Sequence, residues 1–313
     1  MPALLDRLAA LALPRRTFFR DGFGDVALLD GFDHRELLVP PAPAHLAWGD
    51  ARAEGPLEIR EAAFESPEPR LPRACRTARV RRLAPAAPRG EVVLLAASGD
   101  QGFTARTVFA RALAREGVAS WMLENPYYGA RRPPGQVGAA VRTVSDLLLM
   151  AVATVRETLS LLALLRAGAA RRIGVAGYSM GGNMAALVAG AAPFPIAAVA
   201  AAPSASAAPV FTEGVLRRYP DLRSLGDDER GAARALRDRL ARFDATRLPP
   251  PRAPGACIVV GTRADGFVPP AEMERLAVHW GSELRWLDAG HISALLLHRP
   301  ALRAAVVDAL SRL

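Results

Sequence analysis

The chain has 313 residues, 51% of them hydrophobic, so it is long enough to bury the core of one α/β domain with insertions. All 40 basic residues are arginine, and the formal net charge is +9. The arginines are scattered and lack an interleaved aromatic motif, which argues against nucleic acid as a partner. The positive charge is compatible with anionic substrates and with a peripheral contact to an anionic membrane surface.

Cysteine usage and targeting signals exclude several further classes of protein. Cys75 and Cys257 lack the paired spacing of a metal site and do not form the framework of a disulfide-rich domain. The apolar stretch at 8–13 is too short for a signal sequence. The uncharged stretch between Arg172 and Glu213 is interrupted by glycine and proline, unlike a transmembrane helix. We therefore expect a cytoplasmic protein, with no metal or other cofactor.

Residues 1–56 are predicted to form a helical N-terminal extension. Its leucines recur at helical spacing and give one apolar face, made of Leu4, Leu5, Leu8, Leu11 and Leu13. We expect the extension to have a structural role and to pack onto the main domain at residues 57–313.

The main domain alternates short apolar runs with helical stretches. Strands are predicted at 57–64, 76–83, 92–97, 118–123, 173–176, 196–201, 257–261 and 284–287. Helices are predicted at 104–116, 144–166, 184–191, 271–280 and 301–313. This alternation indicates an α/β fold with a mostly parallel sheet and helices on both faces. An insertion at about 204–250 starts apolar, becomes charged and helix-prone, and is predicted to be a lid.

A Gly-x-Ser-x-Gly pentapeptide at 177–181 lies between a predicted strand and a predicted helix. In a nucleophile elbow the serine adopts a strained conformation in a sharp turn, and the residues two positions away must be small. The bare pattern occurs by chance in many chains, but the strand before it and the helix after it make it more specific. Ser179 is therefore the predicted nucleophile.

An acid and a histidine follow Ser179 in the order that this arrangement requires. Asp265 lies after the strand at 257–261, and His291 lies after the strand at 284–287. Both loops are expected at the carboxyl edge of the sheet, where such folds bind ligands. The rival acid is Asp288, which we interpret as a solvated or capping residue. The weaker histidine candidates, each interpreted as a surface or satisfied polar residue, are His34, His45, His279 and His298.

Attack by a serine creates an oxyanion that needs two preorganised donors. The amide of Met180, directly after the nucleophile, is predicted to supply the first. The loop after the strand at 92–97 is predicted to supply the second, from Gly99, Asp100 or the following Gln101. The alternative is that these residues only make a turn. The Asp100 side chain is expected to point away and cap the helix near Thr104.

The loop at 125–133 follows another strand and is expected on the same edge of the sheet. Tyr127, Tyr128 and Arg131 are candidate substrate-binding residues, for an acyl chain or an anionic head. The alternative is a packed, hydrogen-bonded loop.

Taken together, these segments resemble the α/β-hydrolase domain-containing protein 18 family of the α/β-hydrolase superfamily. The resemblance is carried by residues 5–8, 18–24, 99–100, 125–133, 144–146, 177–182, 211–214 and 290–294. It implies an α/β-hydrolase fold and a catalytic triad of Ser179, Asp265 and His291. The all-arginine basic set departs from the family pattern, and the resemblance does not identify a substrate.

The sequence thus predicts a metal-independent serine hydrolase that cleaves carboxylic esters through an acyl-enzyme. A small-molecule or lipid acyl ester is the expected substrate, because the first part of the insertion is apolar. Thioesterase and amidase activities are alternatives, since the same triad serves all acyl transfers. A hydrolase-fold protein that only binds a ligand is a further alternative.

Overall fold

The computed structural model describes residues 4–12, 17–168 and 172–313. The predicted extension therefore lies partly outside the described residues, and so does Leu13 of its apolar face. The helices are α1 Leu4–Ala12, α2 Val26–Gly31, α3 Thr104–Arg115, α4 Val144–Ala167, α5 Met180–Ala191, α6 Ala207–Thr212, α7 Glu229–Leu240, α8 Pro270–Trp280, α9 His291–Leu297 and α10 Arg299–Ser311. The strands are β1 Ala47–Trp48, β2 Arg52–Glu54, β3 Leu57–Glu65, β4 Thr77–Pro85, β5 Gly90–Leu95, β6 Val118–Leu123, β7 Ile173–Tyr178, β8 Ala197–Ala201, β9 Cys257–Thr262 and β10 Glu283–Leu287.

The strands form one twisted sheet in the order β1-β3-β4-β6-β5-β7-β8-β9-β10, with β2 also paired to β3. Strands β1 to β4 pair antiparallel, and β4 pairs antiparallel with β6. From β6 to β10 every pairing is parallel. The predicted α/β class with a mostly parallel sheet is confirmed.

The central strands are continuous apolar runs because helices cover both faces of the sheet. Strands β6, β8 and β9 are buried at every position. Helix α4 begins at a capping box, in which the Thr143 hydroxyl accepts from the Asp146 amide and the Asp146 carboxylate accepts from the Thr143 amide. By length and composition α4 could cross a membrane, but 78% of its apolar window is buried inside the domain, as in the core helix of a soluble fold.

The N-terminal extension differs from its prediction in two ways. Residues 47–48 and 52–54 form the short strands β1 and β2, which join the edge of the sheet, so the extension is not helical throughout. In α1 the leucines do not make the packed face. Leu4, Leu8 and Leu11 are 71%, 52% and 66% exposed, whereas Asp6 is fully buried. The docked face of the helix carries Asp6 together with the small residues Ala9 and Ala10, and the carboxylate of Asp6 binds backbone amides of the main domain.

A buried ion pair ties the loop after β6 to helix α4. The guanidinium of Arg131 lies 2.5 and 2.8 Å from the two carboxylate oxygens of Glu157, and both side chains are at most 1% exposed. Its remaining N–H groups donate to the carbonyls of Cys75 and Glu124. All five donors of Arg131 are therefore used inside the protein.

We expect Arg131→Met to lower the free energy of unfolding by about 3–5 kcal/mol, because it leaves the Glu157 carboxylate buried and unpaired. The double variant Arg131→Met with Glu157→Leu should recover most of this loss. Urea unfolding measures both. Arg35→Met, which breaks an exposed pair with Asp33, is the control and should cost less than about 1 kcal/mol. A double variant no more stable than the single one would contradict a structural role for the pair.

Candidate active site

Ser179 lies in the tight turn between β7 and α5. Its φ of 57° and ψ of −119° are a strained conformation for a residue with a side chain. The turn is held by its amide, which donates to the carbonyl of Ala201 on β8 at 2.8 Å. The hydroxyl thereby stands at the carboxyl edge of the parallel sheet.

The glycines around Ser179 are required by close contacts of the backbone. A Cβ on Gly177 would lie 2.1 Å from the carbonyl oxygen of Gly181. A Cβ on Gly181 would lie 2.6 Å from the carbonyl oxygen of Leu95 on β5, and one on Gly182 would lie 2.7 Å from that of Ala201. The first turn of α5 therefore packs directly on two neighbouring strands, which is possible only without side chains.

A chain of hydrogen bonds leads from Ser179 to a buried carboxylate. The Nε2 of His291 lies 2.8 Å from the Oγ of Ser179, and its Nδ1 lies 2.7 Å from the Oδ2 of Asp265. An ionised carboxylate can only accept, so the proton between the two residues belongs to Nδ1. The lone pair of Nε2 then faces the serine hydroxyl, the arrangement that a general base needs.

The carboxylate of Asp265 is fixed by its own turn. Its Oδ1 accepts from the amides of Phe267 and Val268, at 2.8 and 2.9 Å, and its Oδ2 accepts from the hydroxyl of Thr262 at 2.6 Å. The side chain of Asp265 has no exposed surface. The carboxylate therefore has one orientation, and that orientation points it at His291.

The imidazole of His291 is held between two aromatic residues. The ring of Phe267 stacks on it at a centroid distance of 4.9 Å, and the ring of Tyr178 lies 5.2 Å away. The Tyr178 hydroxyl donates to the carbonyl of His291 at 2.5 Å. Burial, together with the charges of Asp265 and Asp6, raises the pKa of Tyr178, so its hydroxyl stays protonated and keeps donating.

The rival residues lie elsewhere. The Asp288 side chain is 91% exposed and pairs with Arg263 at 3.1 Å. His279 contacts the carbonyl of Leu248, and His34 lies beside Asp33. Among the described residues, no group of three His, Cys, Asp or Glu side chains is arranged to hold a metal ion.

The loop after β5 requires a correction. The amide of Asp100 donates to the carbonyl of Ala97 at 3.1 Å, so it is not free for an oxyanion. Its carboxylate pairs with Arg106 at 2.6 Å instead of capping α3. Ser98, one residue before the predicted Gly99, is the residue of this loop that lines the cavity at Ser179 and Met180. The amide of Met180 opens α5 and so has no acceptor within that helix.

The predicted substrate-binding loop is also corrected. The guanidinium of Arg131 forms a buried ion pair with Glu157, and Arg131 does not line the cavity. Tyr127 is 1% exposed, adopts a φ of 65°, and does not line the cavity; its carbonyl accepts from the side chain of Gln136. Only Tyr128 lines the cavity, where burial raises the pKa of its hydroxyl. For Tyr127 and Arg131 the packed-loop alternative describes the structure.

Ser179 opens onto a cavity of about 90 Å³ with an apolar lining. Helix α4 contributes Leu147, Leu148 and Ala151 to one side, and the insertion contributes Val210, Phe211 and Phe243 to the other. Phe18 of the N-terminal extension also lines it and packs on Phe211 at a ring distance of 5.3 Å. No charged side chain of the described residues lines this cavity. A movement of the insertion as a lid stays a prediction.

Solved structures share this fold at low sequence identity. Acetyl xylan esterase from Paenibacillus sp. R4 is 16% identical, with a TM-score of 0.57 over 96% of this chain and 99% of its own. Acetyl xylan esterase 1 from Thermoanaerobacterium sp. JW/SL YS485 is 14% identical, with a TM-score of 0.58 over 97% and 99%. Acylaminoacyl peptidase from Pyrococcus horikoshii is 13% identical, with a TM-score of 0.54 over 80% of this chain and 40% of its own.

At these identities the likeness shows the fold alone, and it is shared by proteins named for ester and for peptide substrates. The sequence itself matches a family model described as alpha/beta hydrolase domain containing 18, over residues 33–241 and 227–312. The chain belongs to the α/β hydrolase domain containing 18 family.

Proposed function

We propose that the protein is a serine hydrolase that cleaves carboxylic esters with apolar acyl groups. The observation that carries this proposal is the hydrogen-bond chain from Ser179 through His291 to Asp265, with distances of 2.8 and 2.7 Å, at the wall of an uncharged cavity. A serine is a weak nucleophile unless a base takes its proton, and this arrangement supplies the base and its orienting acid.

In the proposed reaction the Oγ of Ser179 forms a bond to the ester carbonyl carbon while its proton moves to the Nε2 of His291. The amides of Met180 and Ser98 are the proposed donors to the oxyanion. The C–O bond to the alcohol then breaks, and the alcohol leaves with the proton from His291. A water molecule then gives a proton to the Nε2 of His291 and attacks the acyl carbonyl carbon. The bond from that carbon to Oγ breaks, Oγ takes the proton back from His291, and the carboxylic acid leaves.

A fluorophosphonate probe should label the wild-type protein at Ser179, and Ser179→Ala should stay unlabelled. His291→Gln and Asp265→Asn should lower kcat for p-nitrophenyl esters by factors on the order of 10³–10⁴ or more, because the first removes the base and the second removes the acid that orients it. His298→Gln and Asp288→Asn are matched controls and should keep the wild-type rate.

A folded wild-type protein that is neither labelled nor active would overturn the proposed hydrolase. Ester binding by that same protein, measured by calorimetry and unchanged in Ser179→Ala, would favour the ligand-binding alternative. Comparison of matched ester, thioester and anilide substrates distinguishes esterase activity from thioesterase and amidase activity.

The acyl group is proposed to occupy the apolar cavity beside α4. Ala151→Leu should fill part of it and lower the ratio of kcat/KM for octanoate over acetate p-nitrophenyl esters by about tenfold. Ala163→Leu, on the same helix but away from the cavity, is the control and should leave the ratio unchanged. An unchanged ratio in Ala151→Leu would place the acyl group elsewhere.

The exposed side of α1 is proposed to contact an anionic lipid surface, where lipid esters would be reached. Leu4, Leu8 and Leu11 are exposed, and Arg7 lines the adjoining groove with Arg217 and Arg218. Apolar and basic side chains together are what such a surface attracts.

In vesicle flotation, the fraction bound should rise when phosphatidylglycerol is added to phosphatidylcholine. The double variant Leu8→Gln with Leu11→Gln should reduce vesicle binding several-fold, since each substitution removes apolar area that the lipid surface buries on binding. Val278→Gln, at an apolar position on α8 that is 81% exposed and therefore more exposed than either leucine, should bind as wild type. If the fraction of vesicle-bound protein changes neither with lipid charge nor in the leucine variant, the proposed membrane contact of α1 is wrong.

A further inference from the structure

Asp6 is a buried carboxylate on the first turn of α1. Its side of the helix faces the main domain, while the leucines around it face outward. A carboxylate without exposed surface is costly unless hydrogen bonds replace its hydration. The Asp6 carboxylate therefore needs hydrogen-bond donors from the surrounding protein.

Three backbone amides donate to Asp6. Its Oδ2 accepts from the amides of Gly266 and His291, each at 2.8 Å, and its Oδ1 accepts from the amide of Ile292 at 2.8 Å. Gly266 directly follows the acid Asp265, and His291 is the base itself. One carboxylate therefore joins the turn that carries the acid to the helix start that carries the base.

These amides need an acceptor from outside their own elements. The first N–H groups of a helix have no partner within it, and those of His291 and Ile292 open α9. A negative charge at this position gives charge-assisted hydrogen bonds and a favourable interaction with the helix dipole. Two further backbone links between the same chain segments, from the amide of Ala264 to the carbonyl of Ala289 and from the amide of Arg263 to the carbonyl of Leu287, are uncharged.

We propose that Asp6 is a positioning residue that sets the distance between Asp265 and His291. Helix α1 thereby contributes to the geometry of the catalytic site. The proposal rests on the hydrolase function proposed above. Asp6 does not touch the nucleophile; it acts through the peptide groups of Gly266, His291 and Ile292. Both of its oxygens accept, so an amide in its place would turn an N–H group toward one of these donors.

Asp6→Asn should lower kcat for p-nitrophenyl esters about 10- to 100-fold with KM nearly unchanged, because the base shifts while the acyl cavity does not. A deshielded proton resonance is expected for the Nδ1–H of His291, which is hydrogen-bonded to Asp265, and this resonance should shift or broaden in the same variant. Proton NMR of the full chain records this resonance whether or not the protein turns over an ester.

Tyr219→Phe is the matched control. The buried Tyr219 hydroxyl donates to the carbonyl of Ala10, so this variant loosens the docking of α1 without touching the carboxylate. It should lower the Tm as Asp6→Asn does, yet keep the wild-type kcat and the wild-type resonance. Equal losses of kcat in the two variants would overturn the proposal, since Asp6 would then only dock the helix. An unshifted resonance in Asp6→Asn would overturn it as well.

Asp6→Glu covers the case in which Asp6→Asn does not fold. It keeps the charge but adds one methylene group, and it should shift the resonance and reduce kcat; wild-type values of both would overturn the proposal. A wild-type protein that is inactive and unlabelled at Ser179 would refute the hydrolase function instead. The comparison of resonances would still decide the role of Asp6.

Discussion

The close packing of the first turn of α5 on strands β5 and β8 is the constraint on which the site depends. Gly181 and Gly182 lie so near the carbonyls of Leu95 and Ala201 that neither position has room for a Cβ. This contact fixes the start of α5 and forces Ser179 into its strained turn at φ 57°. Ser179 and Met180 consequently line the same cavity, as the proposed attack and oxyanion binding require.

The acid and the base reach Ser179 on separate loops, and loops are the mobile parts of such folds. Here each loop is immobilised by buried polar contacts. The carboxylate of Asp265 is bound by its own turn, the carbonyl of His291 accepts from Tyr178, and the amide of His291 donates to Asp6. The geometry of Ser179, His291 and Asp265 is thus set by a surrounding layer of hydrogen bonds, one of which comes from α1.

The juxtaposition of Ser179, Asp265 and His291 could be predicted from the sequence because its signals are local. Ser179 directly follows β7, Asp265 lies three residues after β9 and His291 lies four residues after β10, and parallel strands bring their carboxyl ends to one edge of the sheet. The role of Asp6 could not, because it is separated from Gly266 by 260 positions and binds amides, which carry no side-chain signal. Leucine spacing indicated an amphipathic α1 but not which side docks. For the same reason, the sequence did not reveal that Arg131, a candidate substrate-binding residue, pairs with Glu157, which lies 26 positions away on α4.

The contrast between the surface and the cavity bears on the substrate. The chain has a formal net charge of +9, yet none of the described residues that line the cavity is charged, and its one candidate arginine is paired with Glu157. Binding an ionised acyl group there would strip its hydration without offering a counter-charge, which is strongly unfavourable. Under the proposed function, the cavity takes an uncharged, apolar acyl group, and the net charge acts outside the cavity, on encounter or on a surface.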